Sequence, residues 1–252
     1  MTAIETRDLT VRFGNFTAVD GVSLSIATGS RHALIGPNGA GKTTLVHTLT
    51  GSIAPTAGQI CIDGRDVTRM PEAARVGLGL ARTYQISQLF RGLSVLENVM
   101  LAIFERDRKT FAFWRKTARD SAVTDEACAH LAFVNLTADA DRPVRTLPYG
   151  AQRLLEIAVA LATKPRVLVL DEPAAGVPAA QSEAIFERID ALPRDLTLVF
   201  VEHDMNLVFR FAERITVLVA GRVLAEGPPA EISADPRVRE VYLGRKGHHD
   251  AA

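Results

Sequence analysis

Residues Gly36-Pro37-Asn38-Gly39-Ala40-Gly41-Lys42-Thr43-Thr44 set glycine, four residues, then glycine, lysine and a hydroxyl side chain in one unbroken run. The spacing has a mechanical reading. Glycines let the backbone curl so that successive N–H groups turn inward toward anionic oxygens. Lys42 supplies a positive charge for β- and γ-phosphates, and the Thr43 hydroxyl suits a Mg²⁺ ion. The flanks agree: His32-Ala33-Leu34-Ile35 reads as a short buried strand, and Lys42 to Leu49 as a helix whose N-terminus faces the phosphates. A strand, a phosphate loop and a helix in that order point to an α/β core that binds a nucleoside triphosphate.

The rest of the chain fits such a core. Ile4 to Arg12 and Ala18 to Ile26 alternate like half-buried strands around a turn at Phe13-Gly14-Asn15, which predicts an N-terminal antiparallel β region. A strand at Gln59-Ile60-Cys61-Ile62 stops at Asp63-Gly64. From about Ser94 to Leu136 strand-like runs vanish, and helical stretches such as Val95 to Ile103 and Asp125 to Val134 take over. Strands return at Val167 to Leu170, Leu196 to Val201 and Ile215 to Val219, with a helix from about Ala179 to Leu192 between the first two. Alternating strands and helices imply a mainly parallel sheet flanked by helices. The expected organisation is a single domain over 1–252, with a nucleotide-binding core at 1–85 and 164–245. A helical insertion occupies 86–163 and a flexible tail 246–252.

Bulk properties narrow the function. The 252 residues include 47% apolar and 23% charged side chains, as in an ordinary folded soluble protein. A formal net charge of +0 argues against a general nucleic-acid binder. No run of 18 apolar residues offers a membrane span, and Met1-Thr2-Ala3-Ile4-Glu5 lacks a signal-peptide pattern. Cys61 and Cys128 have no metal-ligand neighbours and read as reduced thiols. His248 and His249 stand in a polar tail without fixed geometry for a metal. One basic segment mixes Arg106, Arg108, Lys109, Arg115, Lys116 and Arg119 with Phe111, Phe113 and Trp114. A solvated helix with inward aromatics accounts for it, as does nucleic-acid binding. Of the functional readings a membrane-proximal surface is favoured.

Two strand ends carry candidate chemistry. Val167-Leu168-Val169-Leu170 runs into Asp171 and Glu172. In a phosphate-loop fold, a strand beside the loop's own strand delivers an Asp to Mg²⁺, a role that suits Asp171. Glu172 is then placed to polarise an attacking water as a general base. Val199-Phe200-Val201-Glu202-His203-Asp204 repeats the pattern, and His203 at the C-terminal sheet edge is positioned to reach the γ-phosphate.

The order of these motifs resembles the ATP-binding subunits of ABC transporters over residues 4 to 244. It runs from the phosphate loop through Gln85 in Arg82-Thr83-Tyr84-Gln85 and Leu147-Pro148-Tyr149-Gly150-Ala151-Gln152 to Asp171-Glu172-Pro173 and His203. The resemblance implies a P-loop NTPase core with an inserted helical subdomain that grips a cytosolic helix of a membrane partner. It implies ATP and Mg²⁺ as cofactors, and a head-to-tail pair in which each ATP lies between one subunit's phosphate loop and the other's signature loop. By that resemblance Phe13 stacks on adenine and Gln85 senses the γ-phosphate and Mg²⁺. Tyr149, Gly150 and Gln152 belong to the signature loop.

Finer features are similar to the branched-chain and hydrophobic amino-acid uptake subfamily: Tyr149-Gly150-Ala151-Gln152-Arg153, Pro173-Ala174-Ala175-Gly176, Val201-Glu202-His203-Asp204-Met205 and Val241-Tyr242-Leu243-Gly244. Such systems pair two ATPase chains with two membrane permeases and, indirectly, a periplasmic or extracellular binding protein, at the cytoplasmic face of the cell membrane. Related systems carry urea, short amides or aromatic acids. Two departures stand out. Pro148 replaces the usual signature serine, and Pro178 stands near where an Asp or Asn normally makes cross-subunit contacts. Backbone N–H groups near Gly150 remain for the phosphate at that helix N-terminus. An exporter ATPase for lipid or polysaccharide, a soluble ABC-type ATPase on nucleic acid or ribosomes, and a small-molecule kinase are the competing readings.

Overall fold

The computed structural model describes residues 1–83, 89–108 and 121–243. At its N-terminus β1 (Thr2–Phe13) and β2 (Phe16–Ala27) form a hairpin around Gly14-Asn15, with Phe13 directly opposite Phe16. β3 (Arg31–Ile35) leads through the phosphate loop into α1 (Lys42–Thr50). β4 (Ala57–Ile62) pairs antiparallel with β1, and β5 (Arg65–Asp66) with β4, giving a sheet ordered β2-β1-β4-β5. α2 (Glu72–Val76) and the short β6 (Leu80–Arg82) follow. Then come α3 (Val95–Arg106), α4 (Ser121–Phe133) and α5 (Tyr149–Ala162), with no strand between them among the described residues.

The chain returns to the sheet as β7 (Val167–Asp171), α6 (Ala179–Asp190), β8 (Thr197–Val201), α7 (Met205–Phe211), β9 (Arg214–Val219) and β10 (Arg222–Gly227). It closes with α8 (Pro229–Ala234) and α9 (Pro236–Leu243). The second sheet is ordered β10-β9-β3-β8-β7-β6, parallel throughout except for β10 at its edge. This corrects one expectation. β7, which carries Asp171, does not adjoin the phosphate-loop strand: β8 lies between them. Each crossover passes through a helix, so sequence order and spatial order part company. Three strands, β5, β6 and β10, were not anticipated. β6 is three residues long and β10 is an edge strand with mostly half-buried positions.

Every residue of β3, β7 and β8 is buried, because the sheet is covered on both faces. The strand period of two divides these residues between two cores. Leu34, Val167, Val169, Val199 and Val201 join the core beneath the antiparallel sheet and α1. Ala33, Ile35, Leu168, Leu170, Leu198 and Phe200 face the other way, against Ile185, Phe186 and Val208 of α6 and α7. Two polar side chains in β3 are also buried. Arg31 spends its guanidinium on the carbonyls of Leu196 (2.6 Å) and Leu192 (2.7 Å). His32 Nε2 meets Thr216 Oγ1 at 2.8 Å, and burial pushes its pKa down to about 4, so the ring is neutral at pH 7.

A third core lies among the helices and their connections: Val95, Val99 and Ile103 of α3 pack with Ala127 and Leu131 of α4, Leu155, Ala158 and Ala162 of α5, and Val134, Val144 and Leu147 between them. α3 begins where the sequence Ser94-x-x-Glu97 requires. The Ser94 Oγ accepts the Glu97 N–H at 3.1 Å, and Glu97 Oε2 accepts the Ser94 N–H at 2.7 Å.

Candidate functional site

The phosphate loop is built from positions only glycine can fill. A Cβ on Gly36 would lie 2.2 Å from the Leu218 carbonyl oxygen. One on Gly41, at φ +98°, would lie 2.3 Å from that of Ala18. Gly41 caps α1 without any side-chain hydrogen bond, and the first turn carries no acidic residue. The N–H groups there are therefore left for an anion, and the helix dipole favours one. Lys42, 6% exposed, folds its Nζ back onto the carbonyls of Gly36 (2.8 Å) and Pro37 (3.1 Å). Burial lowers its pKa, while Glu172 and Asp171 act in the opposite sense.

Around the loop opens a cleft of about 340 Å³, lined by Phe16, Ala18, Asn38, Gly39, Ala40, Gly41, Lys42, Thr43, Thr44, Glu172 and His203. Four separate segments meet here: β2 supplies Phe16 and Ala18, and the ends of β3, β7 and β8, which lie side by side, supply the rest. Glu172 stands in the left-handed region at φ 50°, and its Oε1 lies 2.6 Å from His203 Nε2. Asp171, one residue earlier, is 2% exposed, and its Oδ2 has no hydrogen-bond partner. Burial raises its carboxyl pKa against the opposing pull of Arg82, His47 and Lys42. A buried carboxylate oxygen left open beside a phosphate loop matches the hard-oxygen chemistry of Mg²⁺.

The remaining candidates fall elsewhere. Phe13 is half exposed and does not line the cleft, whereas Phe16, its partner across the hairpin, does. The two rings share a hairpin mouth, and only the structure tells which side of it faces the loop. Tyr149 and Gly150 start α5 beside the segment after β7. A Cβ on Gly150 would lie 2.8 Å from Gln181 Oε1, and one on Gly176 would lie 3.3 Å from Tyr149 Cε1. Gln152 is turned inward and donates from Nε2 to the Leu147 carbonyl at 2.9 Å. These three residues thus form a second patch outside the cleft. Pro148 and Pro178 cap α5 and α6 without side-chain hydrogen bonds. Gln85 lies outside the described residues, as do Lys109, Phe111, Phe113, Trp114, Arg115, Lys116 and Arg119. Phe16 and Ala18 are the cleft residues that sequence reasoning missed.

A phosphate loop on a parallel sheet, a helical unit with its own core and an antiparallel sheet are the architecture of an ABC ATPase cassette, and the chain belongs to the ABC transporter ATP-binding family. The family model described as ABC transporter matches residues 19–175, and one described as branched-chain amino acid ATP-binding cassette transporter matches residues 222–248. The chain is 39% identical to the high-affinity branched-chain amino acid transport ATP-binding protein BraF of Pseudomonas aeruginosa, over 96% of this chain and 97% of that one. It is 38% identical to the corresponding protein LivG of Escherichia coli, over 94% and 95%. A solved ATP-binding cassette of an ABC transporter in its ADP conformation superposes with a TM-score of 0.86 at 31% identity, covering 97% of this chain and 99% of that one. A dimeric cassette solved with ADP and Pi gives 0.76 at 26% identity, over 90% and 98%. The resemblance and the fold expected from the sequence are thereby borne out. No helix among the described residues is long and apolar enough to cross a membrane.

Proposed function

We propose that this chain is the ATP-hydrolysing subunit of an importer for branched-chain amino acids, or a related small polar solute, acting at the cytoplasmic face of the cell membrane. The observation that carries the chemistry is the Glu172–His203 contact at 2.6 Å on the rim of the phosphate-loop cleft. The relatives named for branched-chain amino acid transport support the cargo and do not favour an exporter.

The reaction follows from these side chains. ATP lays its phosphates over the N-terminus of α1, and Lys42 exchanges the Gly36 and Pro37 carbonyls for phosphate oxygens. Thr43 and Asp171 would hold Mg²⁺, with Gln85 joining them by the family resemblance, and the bound ion would supply positive charge against the phosphate oxygens. Glu172 takes the proton of the attacking water. His203, hydrogen-bonded to Oε1, fixes the orientation of that carboxylate. Phe16 offers the aromatic face nearest the loop for the adenine.

The patch at Tyr149 and Gly150 serves the nucleotide of a second ATPase subunit, since it does not line the chain's own cleft. With Pro148 and Pro178 in place of polar side chains, a different second subunit that supplies the serine and the acidic residue completes the site built on Lys42 and Glu172. Two permeases dock against the helical unit 86–163. A cavity of about 200 Å³ bordered by Val76, Leu80, Leu89 and Val159 supports a site for one of their cytosolic helices. The test is co-purification from detergent with the products of neighbouring genes. Recovery of two permeases and a second ATPase chain is expected, and recovery of the chain only as a free homodimer would refute the assembly.

A further inference from the structure

Glu202 follows β8 and is 6% exposed, yet it does not line the nucleotide cleft. Its two carboxylate oxygens are shared between two loops. Oε1 accepts the Ala174 N–H at 3.2 Å, in the segment after Glu172, and Oε2 accepts the His203 N–H at 3.1 Å. The strand ends are tied a second time, by the Glu172 N–H to the Val201 carbonyl at 3.1 Å. Glu172 itself sits at φ 50°, a conformation that a non-glycine side chain holds only when its surroundings impose it. We propose that Glu202 is a positioning residue for ATP hydrolysis, whose carboxylate ties the turn after Glu172 to the turn at His203 and so keeps those two side chains in register.

Three observations favour this over simple space filling. A buried carboxylate is expensive to desolvate, and a leucine or methionine would fill the volume without that cost. The acceptors are spent on backbone N–H groups of two separate chain segments rather than on a neighbouring cation. Burial raises the carboxyl pKa, and the same two N–H groups oppose that rise by favouring the ionised form. The segment that Glu202 holds continues to Gly176, which abuts Tyr149. A displacement at Glu202 therefore reaches both the Glu172–His203 contact and the patch assigned to the second subunit.

The inference rests on the proposed role of Glu172, so three variants are compared in the full-length chain assembled with its membrane partners. Glu202→Gln keeps one acceptor but turns an amide donor toward the other N–H. Glu202→Asp keeps the charge but is one methylene short of spanning both loops. Each is expected to lower kcat about tenfold, the effect of losing one charge-assisted hydrogen bond. KM and the ATP Kd should stay within twofold, because the phosphate loop is untouched. Unchanged kcat in both variants overturns the proposal. So does a parallel loss of ATP affinity, which marks general disruption of the fold. If the Gln variant is not recovered folded, the Asp variant carries the test. Retained hydrolysis in Glu172→Gln would instead bring down the site assignment itself.

Discussion

Truncating Lys42 separates the phosphates of ATP. In the free chain its ammonium already makes two hydrogen bonds, to Gly36 at 2.8 Å and Pro37 at 3.1 Å, so nucleotide binding exchanges partners instead of creating them from solvent. A charge-assisted hydrogen bond is worth about 1.5–3 kcal/mol, or about 10- to 100-fold in affinity. The exchange pulls the expected loss toward the lower end, so Lys42→Ala should weaken ATP about tenfold. ADP lacks the γ-phosphate and should weaken less, about two- to threefold. Calorimetric titration with ADP and a non-hydrolysable ATP analogue, both with Mg²⁺, reads the difference directly. Thermal unfolding without nucleotide checks that the loop survives. Equal affinity of parent and variant for the analogue would refute the assignment of Lys42 to the terminal phosphates.

Three further outcomes follow from the same geometry. Phe16→Ala should weaken ATP and ADP about equally while Phe13→Ala changes either little, as tracked by fluorescent-nucleotide titration; the reverse order would restore Phe13 to the adenine. His32 has a folded pKa of about 4 against an ordinary 6.5, so the unfolded chain binds its proton first as pH falls. Its contribution is complete above pH 6.5 and is lost down to about pH 4, by up to about 3 kcal/mol. His32→Gln should therefore flatten the decline of Tm across that window, and an unchanged slope would show that other groups set it. The purified chain alone should turn ATP over slowly, and faster once mixed with a second ATPase chain and the permeases. An ATP-dependent homodimer with full, substrate-independent turnover would make Pro148 a neutral variant and remove the need for an unlike partner.

What could be read from the sequence was what is local. The phosphate loop is one contiguous run with its strand before it and its helix after it, so Gly36 to Thr44 lie in one loop and the start of the helix that follows. β1, β2, β4, β8 and β9 lie within two residues of their expected limits, since each alternates or is wholly apolar between clear turns. β6 escaped notice because Leu80-Ala81-Arg82 is too short to show a period. Sheet order escaped it for another reason. β7 and β8 differ in distance from β3 only through the packing of helices that join them, and no residue in either strand encodes its neighbour. At the site, Asp171 and Glu172 were legible as a strand end. That Phe16, not Phe13, lines the cleft was not, because both flank one two-residue turn. Glu202 reads as an ordinary acidic strand end until Ala174, 28 residues away, is seen to donate to it.

Uptake into proteoliposomes ties the chemistry of Glu172 to transport. The assembled transporter, carrying either the parent chain or Glu172→Gln, is given ATP and Mg²⁺ inside the vesicles and binding protein with labelled leucine, isoleucine or valine outside, and accumulation is followed beside phosphate release. Loss of the general base should cut both hydrolysis and accumulation by about 10²- to 10⁴-fold while ATP still binds. Accumulation by the Gln-bearing transporter within twofold of the parent would rule out Glu172 as the base that powers uptake, because transport would then run without its chemistry.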